Sequence, residues 1–225
     1  HSACNEEQRK MTGWWVHDLW NSGRGTELVS WIFWVFASIT LHELAHGWAA
    51  IWEGDDTPRA QGRMTGNPVV HMGMPSIVVF LIIGIAWGMM PVNPYKFRHG
   101  KWGRILVAVA GPAMNLVLAI VSLTVLGFIF NPWEGSPAPI ETFLLMGGFL
   151  NLVLFALNML PVPPLDGSMI LANLSTTVAR WYTHPKAQMA GLLLFLALIW
   201  SNMFGVVFEF ARETAMNYAI LVFNL

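Results

Sequence analysis

Residues 31–50 read WIFWVFASITLHELAHGWAA, an apolar stretch whose ionisable groups are one glutamate and two histidines. Uncharged apolar stretches of about 18 residues or more are typical of membrane spans, because roughly 20 helical residues cross the hydrocarbon core. Two further stretches, 105–130 and 188–208, carry no charged residue. Since backbone groups in lipid must find hydrogen bonds within the protein, we expect these stretches to be helices.

The composition of the whole chain agrees with a membrane protein. Of its 225 residues, 55% are hydrophobic and 11% are charged, whereas an ordinary soluble domain carries about 25% charged residues. The formal net charge of −1 gives no electrostatic reason to expect a nucleic-acid partner.

We therefore predict an all-α polytopic membrane protein with about four full transmembrane helices and one short re-entrant or shallow segment. The short segment, 76–90, contains Gly84 and Gly88 and ends before Pro91. The full spans are predicted at 28–52, 104–130, 141–161 and 188–210. The predicted division of the chain is a polar or interfacial N-terminal segment (1–27), a membrane-embedded domain (28–210) and an apolar C-terminal tail (211–225).

The first span contains the sequence His42-Glu43-Leu44-Ala45-His46. Residues four apart share one face of a helix, so both histidines can reach one zinc ion. In metalloproteases with this spacing, the glutamate is the general base acting on the zinc-bound water. Ionisable groups inside a span are costly and usually functional, which favours a site over a coincidental buried pair of histidines.

A catalytic zinc ion needs a third protein ligand and keeps one position open for water. The acidic residues nearest to His46 are Glu53, Asp55 and Asp56, which we expect in a solvated loop beyond the span. Asp166 is the better candidate, because prolines break the chain just before it and Gly167 permits a tight turn. The alternative is an aspartate that merely ends a helix.

Three motifs together resemble those of the site-2 protease family of intramembrane zinc metalloproteases. They are HELAH at 42–46, AGPAMN at 110–115 and NMLPVPPLDG at 158–167. The segments GDDTP (54–58), GRMTGNPVVH (62–71) and PVNP (91–94) resemble the small bacterial branch, which lacks PDZ and CBS domains. The resemblance covers about residues 28–174, and motifs occurring jointly in this order are highly specific.

The resemblance implies a role for each matching residue. His42, His46 and Asp166 would hold Zn²⁺, and Glu43 would be the general base and proton shuttle. Asn158 matches an asparagine that helps to position substrate or to stabilise the oxyanion. The substrates would be transmembrane-helix proteins, cleaved in regulated intramembrane proteolysis, and the enzyme would be a multi-pass protein of the bacterial inner membrane.

Two matching positions stay open. Asn115 is either a functional residue or a polar residue of a helix crossing that Gly111 and Pro112 allow to be close. The loop around His71 departs from the branch, which usually has a leucine where Gly66 stands and an aspartate near Gly73. We therefore interpret His71 as a solvated loop histidine rather than an auxiliary ligand or a gate.

The positions of the two metal motifs constrain how the chain crosses the membrane. HELAH lies in the second half of the first span and Asp166 follows the third, so these two spans must run in the same direction. Span 104–130 then runs oppositely, and segment 76–90 must make an even number of crossings. If HELAH lies near the cytoplasmic face, eight of the twelve Lys and Arg residues fall in cytoplasmic segments. They are Arg59, Arg63, Lys96, Arg98, Lys101, Arg104, Arg180 and Lys186.

The sequence thus predicts a zinc metalloendopeptidase that hydrolyses peptide bonds within or next to membrane spans. One rival is a zinc or proton transporter, which would more naturally show paired repeats or ligands spread along a path. A second rival is an inactive relative that binds transmembrane helices without cutting them, against which the intact Glu43 argues.

Overall fold

The computed structural model describes residues 14–129, 137–182 and 184–225. Every element in this part of the chain is helical, which confirms the predicted fold class. The α-helices in chain order are α1 (Trp15–Asn21), α2 (Gly25–Trp52), α3 (Thr57–Ala60), α4 (Pro68–Ile83), α5 (Lys101–Ile129), α6 (Pro139–Asn158), α7 (Asp166–Leu174), α8 (Thr176–Tyr182), α9 (Pro185–Trp200) and α10 (Asn202–Phe223). A 3₁₀ turn, Pro94–Lys96, precedes α5.

Among the described residues, three helices are long and apolar enough to cross a membrane: α2, α5 and α6. They coincide with the first three predicted spans. Contacts give their relative directions. His46 and His42 on α2 meet Val107 and Asn115 on α5, so these two helices are antiparallel. The Trp34 indole on α2 donates to the Phe143 carbonyl near the start of α6, and His42 and His46 further along α2 face Asp166, which follows the end of α6. Helices α2 and α6 therefore run the same way, as predicted.

The fourth predicted span, 188–210, is not one helix. Helix α9 ends at Trp200 and α10 begins at Asn202. Between them Ser201 has an extended backbone, and its hydroxyl donates to the Leu198 carbonyl over 2.8 Å. A serine that bonds the backbone in this way competes with the helical ladder, which accounts for the break. The predicted boundary at residue 210 falls inside α10.

The predicted short segment does turn back on itself, although it begins earlier than residue 76. Helix α4 starts at Pro68, where the Asn67 side chain caps it, and it is kinked at Gly73, whose backbone is not helical (φ 69°, ψ 161°). It ends at Ile83, and Gly84 follows in the left-handed conformation (φ 78°). The chain then returns along α4 in an extended form. Ser76 bonds both backbone groups of Trp87, and the Met89 amide donates to the His71 carbonyl.

Candidate metal centre

The two histidines of the HELAH motif face each other on the buried side of α2. Each is 8% exposed, and their Nε2 atoms lie 3.0 Å apart. They have the i, i+4 spacing that places side chains on one face of a helix. The sequence-based prediction that both can reach one ion is consistent with this geometry.

Asp166 joins the histidines from the first turn of α7. Its Oδ2 lies 3.2 Å from His42 Nε2 and its Oδ1 lies 3.4 Å from His46 Nε2. The following residue packs so closely under the end of α6 that a Cβ atom on Gly167 would lie 2.4 Å from the carbonyl oxygens of Met159 and Leu160. The absence of a side chain at residue 167 therefore allows the close packing that brings Asp166 to the site.

Hydrogen bonds on the far side of each imidazole fix which nitrogen is free. His42 Nδ1 lies 2.7 Å from Asn115 Oδ1, and His46 Nδ1 lies 2.6 Å from the Val107 carbonyl oxygen. Both partners are acceptors, so each Nδ1 carries the hydrogen and each Nε2 presents a lone pair. Metal-binding histidines are typically oriented in this way by an acceptor behind the ring.

The donor set fits a zinc ion. Two imidazole lone pairs at 3.0 Å repel each other unless a cation lies between them, and the buried Oδ2 of Asp166 has no hydrogen-bond partner. Tetrahedral zinc with bonds of about 2.0–2.1 Å separates its ligand atoms by about 3.3 Å, close to the 3.2 Å and 3.4 Å measured here. Among the described residues, these three side chains form the group that could hold a metal.

Gly111 on α5 leaves space beside the two histidines. A Cβ atom at this position would lie 2.3 Å from His46 Nε2 and 2.6 Å from His42 Nε2. Such an atom would occupy the region where the two free lone pairs converge. The glycine of the AGPAMN motif therefore matters for the site as well as for the approach of α5 to α2.

Glu43 lies beside the candidate ligands and is 7% exposed. The returning segment after α4 covers it: a Cβ atom on Gly88 would lie 2.6 Å from Glu43 Oε1 and 2.7 Å from its Cγ. Glu43, His42, His46 and Asp166 all line one cavity of about 980 Å³ between the helices. A cavity of this size is at the upper end of the range for small-ligand sites.

Asn158 also lines this cavity, at the last residue of α6. Its Nδ2 donates to the Leu154 carbonyl of the same helix over 3.0 Å. An amide nitrogen carries two hydrogens, so one remains available for a further acceptor. The predicted role in stabilising an oxyanion is compatible with this arrangement and stays a prediction.

His71 is not the solvated loop residue that we predicted. It lies inside α4, is 2% exposed and lines the same cavity. Its Nε2 lies 2.7 Å from the Thr65 carbonyl oxygen, and its Nδ1 is buried without a hydrogen-bond partner. The prediction failed because α4 begins at Pro68, so that the helix includes residues assigned to a loop.

Two of the three acidic residues placed in a solvated loop are also buried. Glu53 is 1% exposed and Asp55 is fully buried, whereas Asp56 is exposed as predicted. Glu53 accepts hydrogen bonds from the backbone and the side chain of His99, and Asp55 accepts one from the backbone amide of Asn93. Both carboxylates therefore fasten the segment before α5 to the end of α2, and neither belongs to the candidate metal group.

Asn151 on α6 was missed by the sequence analysis. It is fully buried, and its Oδ1 accepts from Asn115 Nδ2 over 2.9 Å. The available signal was an amide in an otherwise apolar span, since polar groups inside spans usually have a specific partner.

Proteins named as putative zinc metalloproteases are similar to this chain over most of its length. The chain is 35% identical over 169 residues to "Putative zinc metalloprotease YwhC" of Bacillus subtilis, covering 73% of this chain and 77% of that protein. It is 31% identical over 187 residues to "Putative zinc metalloprotease Rip2" of Mycobacterium tuberculosis, covering 76% and 68%. The model of Peptidase family M50 matches residues 133–201. The chain belongs to peptidase family M50.

A more distant relative is "Zinc metalloprotease MJ0392" of Methanocaldococcus jannaschii, 30% identical over 201 residues, which cover 86% of this chain and 48% of that protein. No solved structure matches the chain significantly. Family membership confirms the resemblance seen in the motifs. The protein is a zinc metalloprotease with several apolar helices, and its environment is the lipid bilayer.

Proposed function

We propose that this M50 peptidase hydrolyses peptide bonds within or next to the transmembrane segments of membrane-protein substrates. The observation that carries the proposal is the convergence of His42, His46 and Asp166, with 3.0–3.4 Å between facing ligand atoms. The two histidines lie within α2, one of the helices able to cross a membrane. Their cavity lies between helices, a common location for binding sites.

In this proposal His42, His46 and Asp166 would hold the zinc ion, and the two histidines would bind it through Nε2. When bound, the ion would supply a Lewis acid and would lower the pKa of water on it to about 7. Glu43 accepts the proton of the attacking water. As the water oxygen bonds to the carbonyl carbon, the π electrons of the carbonyl group move onto its oxygen. When the carbonyl group re-forms, the bond from its carbon to the amide nitrogen breaks. Glu43 then returns the proton to the leaving nitrogen.

Asn158 has a supporting role in the same step. Its remaining amide hydrogen donates to the oxygen of the scissile carbonyl, on which negative charge develops. Donors placed in advance in a site that excludes water stabilise such charge strongly. A helical substrate shields its carbonyls with its own hydrogen bonds, so the segment to be cut must unwind where it enters the cavity.

The proposed orientation places the N terminus outside the cell and the zinc site nearer the cytoplasmic face of a bacterial inner membrane. The distribution of Lys and Arg over the connecting segments supports this orientation. The parallel course of α2 and α6, with the site near the C-terminal halves of both, is consistent with the threading on which the charge argument depends.

The test is cleavage of a panel of labelled single-span substrates by the purified protein in detergent. Wild type is compared with Glu43→Gln and with Glu213→Gln, a matched change at an exposed residue of α10. We expect zinc-dependent cleavage by wild type and Glu213→Gln, and none by Glu43→Gln, which should still bind zinc. If all three proteins bind zinc and none cuts any substrate, the hypothesis of a transporter or of an inactive relative that only binds transmembrane helices replaces this proposal.

A further inference from the structure

A chain of buried side-chain amides leads from α6 to the candidate ligand His42. Asn151 Nδ2 donates to the Gly147 carbonyl over 2.9 Å, and Asn115 Nδ2 donates to Asn151 Oδ1 over 2.9 Å. Asn115 Oδ1 then faces His42 Nδ1 at 2.7 Å. Both asparagines are fully buried, so their side-chain amides must find their hydrogen-bond partners within the protein.

The donor and acceptor of every hydrogen bond in this series follow from its last member, the Gly147 carbonyl. The Gly147 carbonyl can accept but not donate, so Asn151 must turn its Nδ2 toward it and its Oδ1 toward Asn115. Asn115 must then present Nδ2 to Asn151, which leaves its Oδ1 facing His42. His42 Nδ1 is consequently the donor, and the lone pair is on Nε2, the atom that faces Asp166.

We propose that Asn151 is a positioning residue of the zinc site, which acts through Asn115 to keep the lone pair of His42 on Nε2. The inference rests on the proposed function, in which His42 is a zinc ligand. Without Asn151, the amide of Asn115 is free to rotate and offer Nδ2 to His42 Nδ1. The ring hydrogen would then move to Nε2, where it would block binding of the ion.

The second histidine shows why the relay is needed. His46 Nδ1 bonds directly to a backbone carbonyl, that of Val107, whose polarity cannot be reversed. The partner of His42 is a side-chain amide, which has a donor and an acceptor on the same carbon. Two amides in series, ending on the Gly147 carbonyl, give His42 the same fixed polarity that His46 obtains from one backbone group.

The relay can be tested by zinc affinity, with no reference to proteolysis. Zinc dissociation constants are measured by chelator competition on the purified full chain in detergent, for wild type, Asn115→Leu, Asn151→Leu and the double variant. Loss of an outer partner of a metal-binding histidine typically weakens binding by about 10- to 100-fold. We expect Asn151→Leu to weaken zinc binding by about tenfold or more. The double variant should bind zinc no more weakly than Asn115→Leu alone.

That non-additivity separates positioning from general damage, because a residue that acts only through Asn115 has no effect once Asn115 is gone. Equal losses from Asn151→Leu in both backgrounds would overturn the proposal, as would wild-type affinity in Asn151→Leu. The cobalt-substituted protein gives a second readout. Its visible absorption bands should shift in Asn151→Leu, because the geometry of the ligand set changes.

Two further variants guard against misfolding. Asn151→Asp introduces a carboxyl that, when neutral, can accept from Asn115 Nδ2 and donate to the Gly147 carbonyl, so it should restore near-wild-type zinc affinity. Lost zinc affinity in Asn151→Asp would count against the relay. Leu144→Ala leaves a cavity on the same helix, in a cluster with Leu123 and Leu126. It should lower thermal stability without changing zinc affinity.

The reference variant His46→Ala tests the ligand set independently. It should bind zinc far more weakly than wild type whether or not Asn151 positions His42. Wild-type zinc affinity in His46→Ala would contradict the proposed site itself. Strong loss in His46→Ala together with no loss in Asn151→Leu would overturn the relay alone.

Discussion

Gly88 lies in direct contact with Glu43: a Cβ atom on this glycine would approach Glu43 Oε1 to 2.6 Å and the Ile39 side chain to 2.8 Å. The contact joins the extended segment after α4 to the candidate general base on α2. Hydrogen bonds from Ser76 to Trp87 and from Met89 to His71 hold the segment in place on either side of Gly88. The fold therefore sets the position of the Glu43 carboxylate from outside its own helix.

Replacing Gly88 by alanine should displace Glu43 while leaving the candidate ligands in place. Because displacements of about 1 Å can cost roughly a hundredfold in rate, we expect Gly88→Ala to lower cleavage by up to about that factor. Zinc affinity should stay at the wild-type value. The measurement is kcat/KM on a labelled transmembrane substrate, beside a zinc titration of the same sample.

Gly66→Ala is the matched control, because a Cβ atom at Gly66 meets nothing within 4 Å. It should cleave at the wild-type rate. Equal activity in Gly88→Ala and Gly66→Ala would show that the contact does not position the base.

Gly111→Ala should abolish zinc binding, in contrast to Gly88→Ala. The added Cβ atom would lie 2.3 Å from His46 Nε2, and α5 cannot retreat without breaking the bond from His46 to Val107. The measurement is thermal unfolding of metal-free protein with and without added zinc. A ligand present at 100 times its Kd stabilises the folded state by about 2.7 kcal/mol, and Gly111→Ala should lose this gain.

Gly205→Ala serves as its control, since nothing lies within 4 Å of a Cβ atom at that position of α10. Zinc should stabilise this variant as it does the wild type. A zinc-dependent rise in melting temperature for Gly111→Ala would mean that the ion binds elsewhere than between the two histidines.

We expect the protein to lose stability in acid, because the carboxylates of Glu53 and Asp55 hold residues 93–99 against the end of α2 by hydrogen bonds. Burial alone raises the pKa of the Glu53 carboxyl, but hydrogen bonds from the side chain and backbone of His99 outweigh it, and the pKa is lower than usual. For Asp55, burial is likewise outweighed by hydrogen bonds from Asn93 and Thr57, which lower its pKa.

A folded-state pKa below the unfolded value means that the unfolded chain binds protons more readily. The stabilisation is complete above the ordinary carboxyl values of about 4 and is lost as the pH falls through the lower folded-state values. Melting temperature measured between neutral pH and about pH 3 should fall in this window. In Glu53→Gln the melting temperature should fall less steeply with falling pH than in the wild type, whereas the exposed control Glu213→Gln should behave like the wild type. The same fall in the wild type and both variants would contradict the prediction.

Sequence patterns predicted the parts of the fold that depend on local chemistry. Spans over α2, α5 and α6 follow from apolar length, and the i, i+4 spacing of His42 and His46 follows from helix geometry. Asp166 was chosen as the candidate third ligand because prolines and Gly167 mark a break in the helix, and the structure places it beside the two histidines. These features are encoded within a few residues of one another and require no knowledge of distant contacts.

Features that depend on tertiary contacts were missed or wrongly assigned. Glu53 and Asp55 look like loop residues in the sequence, and only their partners His99 and Asn93 explain why they are buried. The burial of His71 depends on where α4 begins, and the break at Ser201 depends on one hydroxyl bonding the preceding turn. The role inferred for Asn151 depends on its hydrogen bond with Asn115, which lies on a different helix.

The proposed orientation of the protein can be tested by labelling single cysteines in intact bacterial cells. Gln61, between α3 and α4, and Ala138, just before α6, are both exposed. The proposed threading places them on opposite sides of the membrane. In a Cys4→Ser background, a membrane-impermeant maleimide should react with Ala138→Cys from outside. It should react with Gln61→Cys only after the cells are opened. The reverse pattern would place the zinc site nearer the outer face, whereas labelling of both residues in intact cells would contradict the predicted threading of the helices.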